Sequence, residues 1–156
     1  MGEDIDVKAI YERFRQKHSL PSYDKLDHEF HISEIDSEEH FLEQVRHCIC
    51  DKLSDVLSIF EDIFSTDTNI ARMYENQNFS IAEKESAFSL YRRLMYFRRY
   101  GDELYVKDGD EAHAEFIRQI TAEWPGLKEQ IGVILAKLKE FWVKANGEQT
   151  KVEYFV

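Results

Sequence analysis

Apolar side chains recur along this chain at steps of three and four residues, the spacing that places them on one face of an α-helix. Asp36 followed by Glu39 resembles a capping box, so one long helix is predicted over residues 37–64. Arg46 is expected to lie off its apolar face, and Cys50 is expected outside or at a helix contact. That face is formed by Phe41, Leu42, Val45, Cys48, Ile49, Leu53, Val56, Leu57, Phe60, Ile63 and Phe64.

The same spacing predicts helices elsewhere in the N-terminal two thirds of the chain. Residues 5–17 and 22–30 form two amphipathic segments, and Ser22 is suited to cap the second. Ser80 and Glu83 form a second capping box, which begins a predicted helix reaching about residue 104. Between the long segments a short helix is predicted to carry Ile70, Met73 and Tyr74 and to end at the run Asn76, Gln77 and Asn78.

The C-terminal third begins at a predicted turn of Asp108, Gly109 and Asp110. The helix that follows is expected to kink or end at Pro125, because proline cannot donate a backbone hydrogen bond. A last helix is predicted from a full apolar face, which ends near Gly147 and comprises Leu127, Ile131, Ile134, Leu135, Leu138, Phe141, Trp142 and Ala145.

These segments predict an all-α protein. We expect a compact bundle of five to seven helices, mostly antiparallel neighbours, with two long central helices over residues 37–64 and 80–104. No alternation typical of a significant sheet competes with the helical pattern. A single domain is assigned to residues 1–146, followed by a C-terminal tail at residues 147–156.

Charge and composition narrow the functional classes. The chain of 156 residues has 20 Lys and Arg against 31 Asp and Glu, a net charge of −11. This excess argues against binding nucleic acid with the whole surface, because phosphate binding needs basic patches. No apolar run is long enough to span a membrane, and the first residues do not resemble a signal peptide, so a cytoplasmic protein is expected.

Sequence motifs for the common chemistries of small helical proteins are not found. No histidine follows a glutamate by three residues, as a di-iron bundle requires, and the nearest approach is Asp110 before His113. The chain lacks HExxH, GxGxxG, P-loop and GxSxG motifs. We therefore predict no cofactor, and the balance leans away from an enzyme.

One basic segment stands out in this acidic chain. Residues 90–100 contain four arginines and no acidic residue, and Arg92 and Arg99 fall within about 20° of each other on a helix. We call Arg92, Arg93, Arg98 and Arg99 the arginine side. With Tyr96 and Tyr100 it is the candidate site for binding a protein partner or phosphates. The alternative is that these arginines pair with acidic residues of neighbouring helices.

Histidines offer a second, weaker candidate. His28, His31, His40 and His47 lie near carboxylates in the sequence, but no spacing makes three ligands converge. We predict no metal and interpret these residues as surface histidines.

The sequence thus favours a non-enzymatic helical binding or adaptor protein that acts through a protein partner. Tyrosine and arginine, which occur together here, are enriched at interfaces. The first alternative is a nucleic-acid-associated protein that uses the arginine side as a local basic patch. The second is a small enzyme with a histidine and carboxylate site.

Overall fold

A computed structural model of the chain describes residues 4–64, 70–107 and 109–147, with side chains to residue 143. Helix makes up 84% of the structure, which has no strand in these residues and confirms the all-α bundle. The six α-helices and one 3₁₀ turn are α1 (Val7–His18), α2 (Tyr23–Phe30), the turn Ile32–Glu34, α3 (Phe41–Phe64), α4 (Ile70–Asn78), α5 (Ile81–Glu103) and α6 (Asp110–Gly147).

The centre of the bundle consists of α3, α5 and α6. Ser54 of α3 contacts Arg98 of α5, and Phe64, ten residues further on, contacts Phe88. Residue numbers therefore rise along α3 as they fall along α5, which makes the two helices antiparallel. The pairs Arg93–Glu123 and Tyr100–Phe116 show the same relation between α5 and α6.

The N-terminal helices α1 and α2 pack against this core, and side chains of α6 form hydrogen bonds to both of them. Phe14 of α1 stacks on Phe41 at a ring-centroid distance of 5.5 Å. The indole nitrogen of Trp124 in α6 donates to a carboxylate oxygen of Glu29 in α2 at 2.9 Å. Lys128, one turn further along α6, binds the same carboxylate at 2.6 Å. Residues about a hundred positions apart in the sequence thus contact each other.

Helix α3 begins later than the capping box at Asp36 and Glu39 predicted. His40 has a backbone φ of 53°, which is incompatible with a right-handed helix, so α3 begins at Phe41. The preceding residues form a turn, and the side-chain amide of Gln44 donates to the carbonyl oxygens of Ser37 at 2.8 Å and of Glu39 at 2.7 Å. The predicted box is wrong: the backbone N–H of Glu39, which the box would have bonded to the Asp36 side chain, donates instead to the Ser37 hydroxyl at 3.2 Å.

Helix α6 passes through Pro125 without ending, so the predicted boundary there is also wrong. Trp124 and Leu127 on either side are buried, whereas Pro125 and Gly126 are exposed. The hydrogen bond that proline cannot make is therefore lost on the solvent side, while the buried neighbours hold the helix against the core. At 38 residues, α6 is the longest described helix and spans about 57 Å.

Arg46 of α3 lies inside the core, contrary to the predicted face, and Cys50 lies at a contact with α5, one of its two predicted positions. Arg46 and Cys50 lie one turn apart on a second side of α3. They are buried because this side packs against α5. Gly101 of α5 lies directly against it, since an added Cβ there would be 2.5 Å from the Sγ atom of Cys50. Cys48, predicted to be buried, is only half-buried.

The other predicted elements agree with the structure to within a few residues. The capping box of Ser80 and Glu83 is formed, and α4 ends at Asn78, within the predicted run Asn76, Gln77 and Asn78. Leu135 and Trp142 of the predicted last apolar face are partly exposed. Asp108 and the tail beyond Gly147 lie outside the described residues. Across the described parts of the chain, no helix has the length and apolar character needed to cross a membrane.

Candidate functional site

Three residues of the arginine side bind acidic side chains of the same chain. Arg93 forms a two-point ion pair with Glu123 of α6, with Nε to Oε2 at 2.7 Å. Both remaining pairs converge on Asp102: Arg98 at 2.6 Å and Arg99 at 2.9 Å. Two carboxylates, Glu123 and Asp102, therefore partly neutralise the four guanidinium groups of the arginine side.

Within the arginine side, Arg92 and Arg98 differ in both exposure and hydrogen bonding. Arg92 is exposed and makes no hydrogen bond or ion pair with any residue that the structure describes. Arg98 is half-buried, and its Nε donates to the Ser54 hydroxyl of α3 at 3.0 Å. Its guanidinium thus joins two helices, whereas Arg92 is accessible to a partner.

This difference predicts unequal effects on stability. Arg98→Ala is expected to lower the free energy of unfolding by about 1–3 kcal/mol, because it removes charged hydrogen bonds to Asp102 and Ser54. The double variant Arg92→Ala/Arg99→Ala should lose less than about 1 kcal/mol, since exposed ion pairs contribute little. Urea unfolding compares the two. Equal losses would contradict the internal role of Arg98.

Next to the arginine side, α5, the residues that follow it and α6 line a cavity of about 580 Å³ that is open to solvent. We call it the tyrosine cavity. It contains Tyr96, Arg99 and Tyr100 of the predicted site, whereas Arg92, Arg93 and Arg98 are not among its lining residues. The residues that complete the lining are Glu103, Leu104, Lys107, Ala112 and Glu115. The structure therefore brings together half of the residues predicted from the sequence.

Two tyrosine rings give this cavity its shape. The rings of Tyr96 and Tyr100 stand almost perpendicular, at 88°, with centroids 6.1 Å apart. Tyr100 is held from behind by the ring of Phe116, and Tyr96 remains 46% exposed. Neither phenol hydroxyl hydrogen bonds to a described residue. Both rings therefore retain a polar group for a ligand.

Charges around the cavity are paired with each other or with adjacent residues. Lys107 binds Glu103 at 2.5 Å, and Glu115 accepts from Arg118 at 2.6 Å. Burial and the carboxylate of Glu115 raise the pKa of the Tyr100 phenol above its usual value. Tyr100 therefore stays protonated and can donate a hydrogen bond at neutral pH.

A buried arginine supports the end of α5 that carries the cavity. Arg46 is 1% exposed, and its Nη1 donates to the carbonyl oxygen of Gly101 at 2.9 Å. Its guanidinium lies 4.4 Å from the ring centroid of Tyr105. A cation at the carboxyl end of a helix is stabilised by the helix dipole. Arg46 thus fixes the end of α5 against α3.

His113 is a second buried polar residue close to this arginine. It is 5% exposed, and its Nδ1 has no hydrogen-bond partner among the described residues. Burial and the charge of Arg46 lower the pKa of His113, and Glu43 and Asp110 act against that shift. Sequence reasoning missed Arg46, although it noted His113 as the nearest approach to a metal motif.

The lowered pKa of His113 predicts a loss of stability in mild acid. The unfolded chain takes up a proton near the ordinary pKa of 6.5, whereas the folded chain resists protonation. The contribution of His113 is therefore complete above pH 6.5 and is lost as the pH falls below it. The lowered pKa values of Glu29 and Glu123 act in more acidic solution.

Urea unfolding at pH 7.5 and pH 5.5 measures this effect. The wild type and the exposed control His28→Gln should both lose stability between these pH values, and His113→Gln should lose less. An identical pH dependence in all three proteins would show that His113 does not carry the effect.

The four histidines considered for a metal are all exposed and do not converge. Within the described ranges, no group of three or more histidine, cysteine, aspartate or glutamate side chains is arranged to hold a metal ion. His40 lies within 4 Å of Glu39 and Glu43, at 3.7 and 3.8 Å. Its surroundings match surface histidines beside carboxylates.

Comparisons of this chain with protein-family models, with curated proteins and with solved structures find no match.

Proposed function

We propose that this chain is a helical binding module that docks a protein partner at the tyrosine cavity. The observation that carries the proposal is the cavity itself, which is open to solvent and walled by two tyrosines whose hydroxyls have no partner among the described residues. Concave sites with aromatic walls and a few polar groups are typical binding sites.

Residues outside the cavity hold its walls in place, as expected of a binding site that is formed before its partner arrives. Phe116 backs Tyr100, and Arg46 attaches the end of α5 to α3. A wall whose side chains are already fixed loses less conformational entropy on binding. Tyr96, which is exposed, and Tyr100, which is half-buried, therefore offer contact area at a low entropic cost.

The ion pairs of the arginine side favour a protein over a nucleic acid. Affinity for phosphates depends on cations that release counterions, and Arg93, Arg98 and Arg99 each already bind a carboxylate of this chain. The net charge of −11 also repels a polyanion. Apart from Arg92, the residues that remain fully available for binding are the aromatic ones of the cavity.

A retention experiment tests this function. The tagged wild type, Tyr96→Ala and the control Phe88→Ala are immobilised and exposed to native lysate, with and without nuclease. Phe88 is a matched control because it is also an exposed aromatic residue of α5, eight residues before Tyr96 and outside the cavity lining. Bound proteins are identified and quantified by mass spectrometry.

We expect a protein that the wild type and Phe88→Ala retain equally, and that Tyr96→Ala retains about ten-fold less, because truncating a central interface residue costs about 1–2 kcal/mol or more. Nuclease should leave its retention unchanged. Equal retention by Tyr96→Ala would refute docking at the cavity. Retention that disappears with nuclease would instead support the nucleic-acid alternative.

A further inference from the structure

The arginine side has more positive charge than its own carboxylates balance. Arg98 and Arg99 share Asp102, since each of them binds a different oxygen of that carboxylate. Arg92 forms no ion pair with any described residue, whereas Arg93 has Glu123 to itself. Arg98 is half-buried and also bonds to α3, so the excess charge is presented to solvent by Arg92 and Arg99, both of which are exposed.

Arg99 keeps hydrogen-bond donors free for a second carboxylate. It donates to Asp102 through Nη1 alone, at 2.9 Å, and its side chain is 73% exposed. Its Nε and Nη2 groups have no hydrogen-bond partner among the described residues. One side of the guanidinium is thus available for a carboxylate that accepts two parallel hydrogen bonds.

The carboxylates of the tyrosine cavity do not balance this charge, because they have partners of their own. Glu103 binds Lys107 at 2.5 Å. Glu115 accepts from Arg118 at 2.6 Å and from Gln119 at 2.9 Å. The exposed arginines therefore have to be balanced from outside the described part of the chain, by solvent ions or by the partner.

The spacing of the two arginines indicates how a partner would match them. Arg92 and Arg99 lie on one face of α5, two turns and about 10.5 Å apart along its axis. Two carboxylates seven residues apart on a second helix have the same spacing. Tyr96 lies between the arginines on this face and is 46% exposed, so it offers an apolar contact between the two ion pairs.

We propose that Arg92 and Arg99 bind two carboxylates of an acidic helix, which lies along α5 and packs an apolar side chain against Tyr96. This inference rests on the proposed function and names the chemistry of the partner at that site. A second copy of this chain fits less well through the same face, because the two arginine sides would repel each other. A nucleic acid gains affinity from many phosphate contacts, and only two cations are exposed in excess here.

The net charge of −11 opposes the approach of an acidic segment from a distance. At physiological ionic strength, however, exposed charges more than about 8 Å apart are largely screened from each other. Ion pairs in direct contact with Arg92 and Arg99 are much closer than that. The local excess of positive charge therefore determines which segment binds at this face.

Designed peptides test the charge and the spacing of the ligand. The full chain, labelled with ¹⁵N in its arginine side chains, is titrated with an alanine-rich helical peptide that carries two glutamates seven residues apart and a leucine between them. Comparison peptides carry glutamines or lysines at the same positions, or the two glutamates on opposite faces. A short single-stranded DNA is the nucleic-acid probe. Shifts of the Nε resonances of Arg92 and Arg99 report binding.

Three variants that each remove one positive charge complete the experiment. Arg92→Gln and Arg99→Gln change the proposed site. Arg13→Gln is the matched control, because Arg13 is an exposed arginine of α1 that pairs with Glu38. All three variants have the same net charge, so a difference between them reports the local contacts.

We expect the peptide with both glutamates on one face to shift the Nε resonances of Arg92 and Arg99. Each site variant should bind it about five-fold more weakly, the most that an exposed ion pair contributes, and Arg13→Gln should bind it as the wild type does. The glutamine peptide and the peptide with opposed glutamates should lose at least as much. Affinity should fall as salt is added, since the contact charges attract.

Other outcomes overturn the inference in distinguishable ways. If the glutamine, lysine or opposed peptide binds equally well, or affinity rises with salt, paired carboxylates are not the ligand. Binding of the DNA alone would support the nucleic-acid alternative, and shifts that grow with protein concentration alone would assign the face to a second copy. Without any shift, the acidic helix is refuted, and the docking function then stands or falls with the retention lost in Tyr96→Ala.

Discussion

Leu53→Ala is expected to lower the free energy of unfolding by about 2–5 kcal/mol, the largest single effect that we predict. Leu53 is 0% exposed at the centre of α3, where this helix packs between its neighbours. Truncation removes apolar contacts and leaves a cavity that close-packed surroundings cannot fill completely. Urea unfolding followed by circular dichroism measures the loss.

Ile59→Ala serves as the control on the same helix. Ile59 is also aliphatic but is partly exposed, so its truncation removes less buried surface and should cost markedly less. A loss below about 0.5 kcal/mol for Leu53→Ala would show that the apolar face of α3 is not the core.

Gly101→Ala is expected to destabilise the protein by about 1–3 kcal/mol, although alanine is the better helix former. The new Cβ would lie 2.5 Å from the Sγ atom of Cys50 and 3.8 Å from the ring of Phe116. Both neighbours are buried, so α3 and α5 or the Cys50 side chain must shift to admit the methyl group. Equilibrium unfolding gives the magnitude.

The double variant Cys50→Ala/Gly101→Ala tests the stated cause. Removing the sulfur creates room for the methyl group, so adding Gly101→Ala to Cys50→Ala should be nearly neutral or stabilising. The difference between the two backgrounds is the coupling between the residues. If Gly101→Ala costs the same in both backgrounds, the close approach of Cys50 is not the reason for the loss.

The fold was largely predictable because apolar spacing and caps are local properties of the sequence. Ser22 and Ser80 cap helices as expected, since each serine needs only an amide three residues away. The errors arise where residues distant in the sequence determine the local structure. Pro125 is tolerated because its neighbours are buried by other helices, and Arg46 is buried because α5 ends beside it.

The site was predictable in composition but not in geometry. The sequence showed that Tyr96, Arg99 and Tyr100 lie close together on one helix. It could not show that Asp102 and Glu123 form ion pairs with the arginines, because these pairs depend on side-chain rotamers and on the packing of a second helix. The wall contributed by Ala112 and Glu115 also depends on how α6 packs against α5.

The position of α6 has a consequence for how the chain is made. As the ribosome releases the protein, α1 and α2 emerge about a hundred residues before Arg118, Trp124 and Lys128, with which they form hydrogen bonds. Their contact surfaces for α6 stay uncovered throughout that interval. At synthesis rates of about 5–20 residues per second, the nascent chain needs protection from aggregation for about 5–20 seconds.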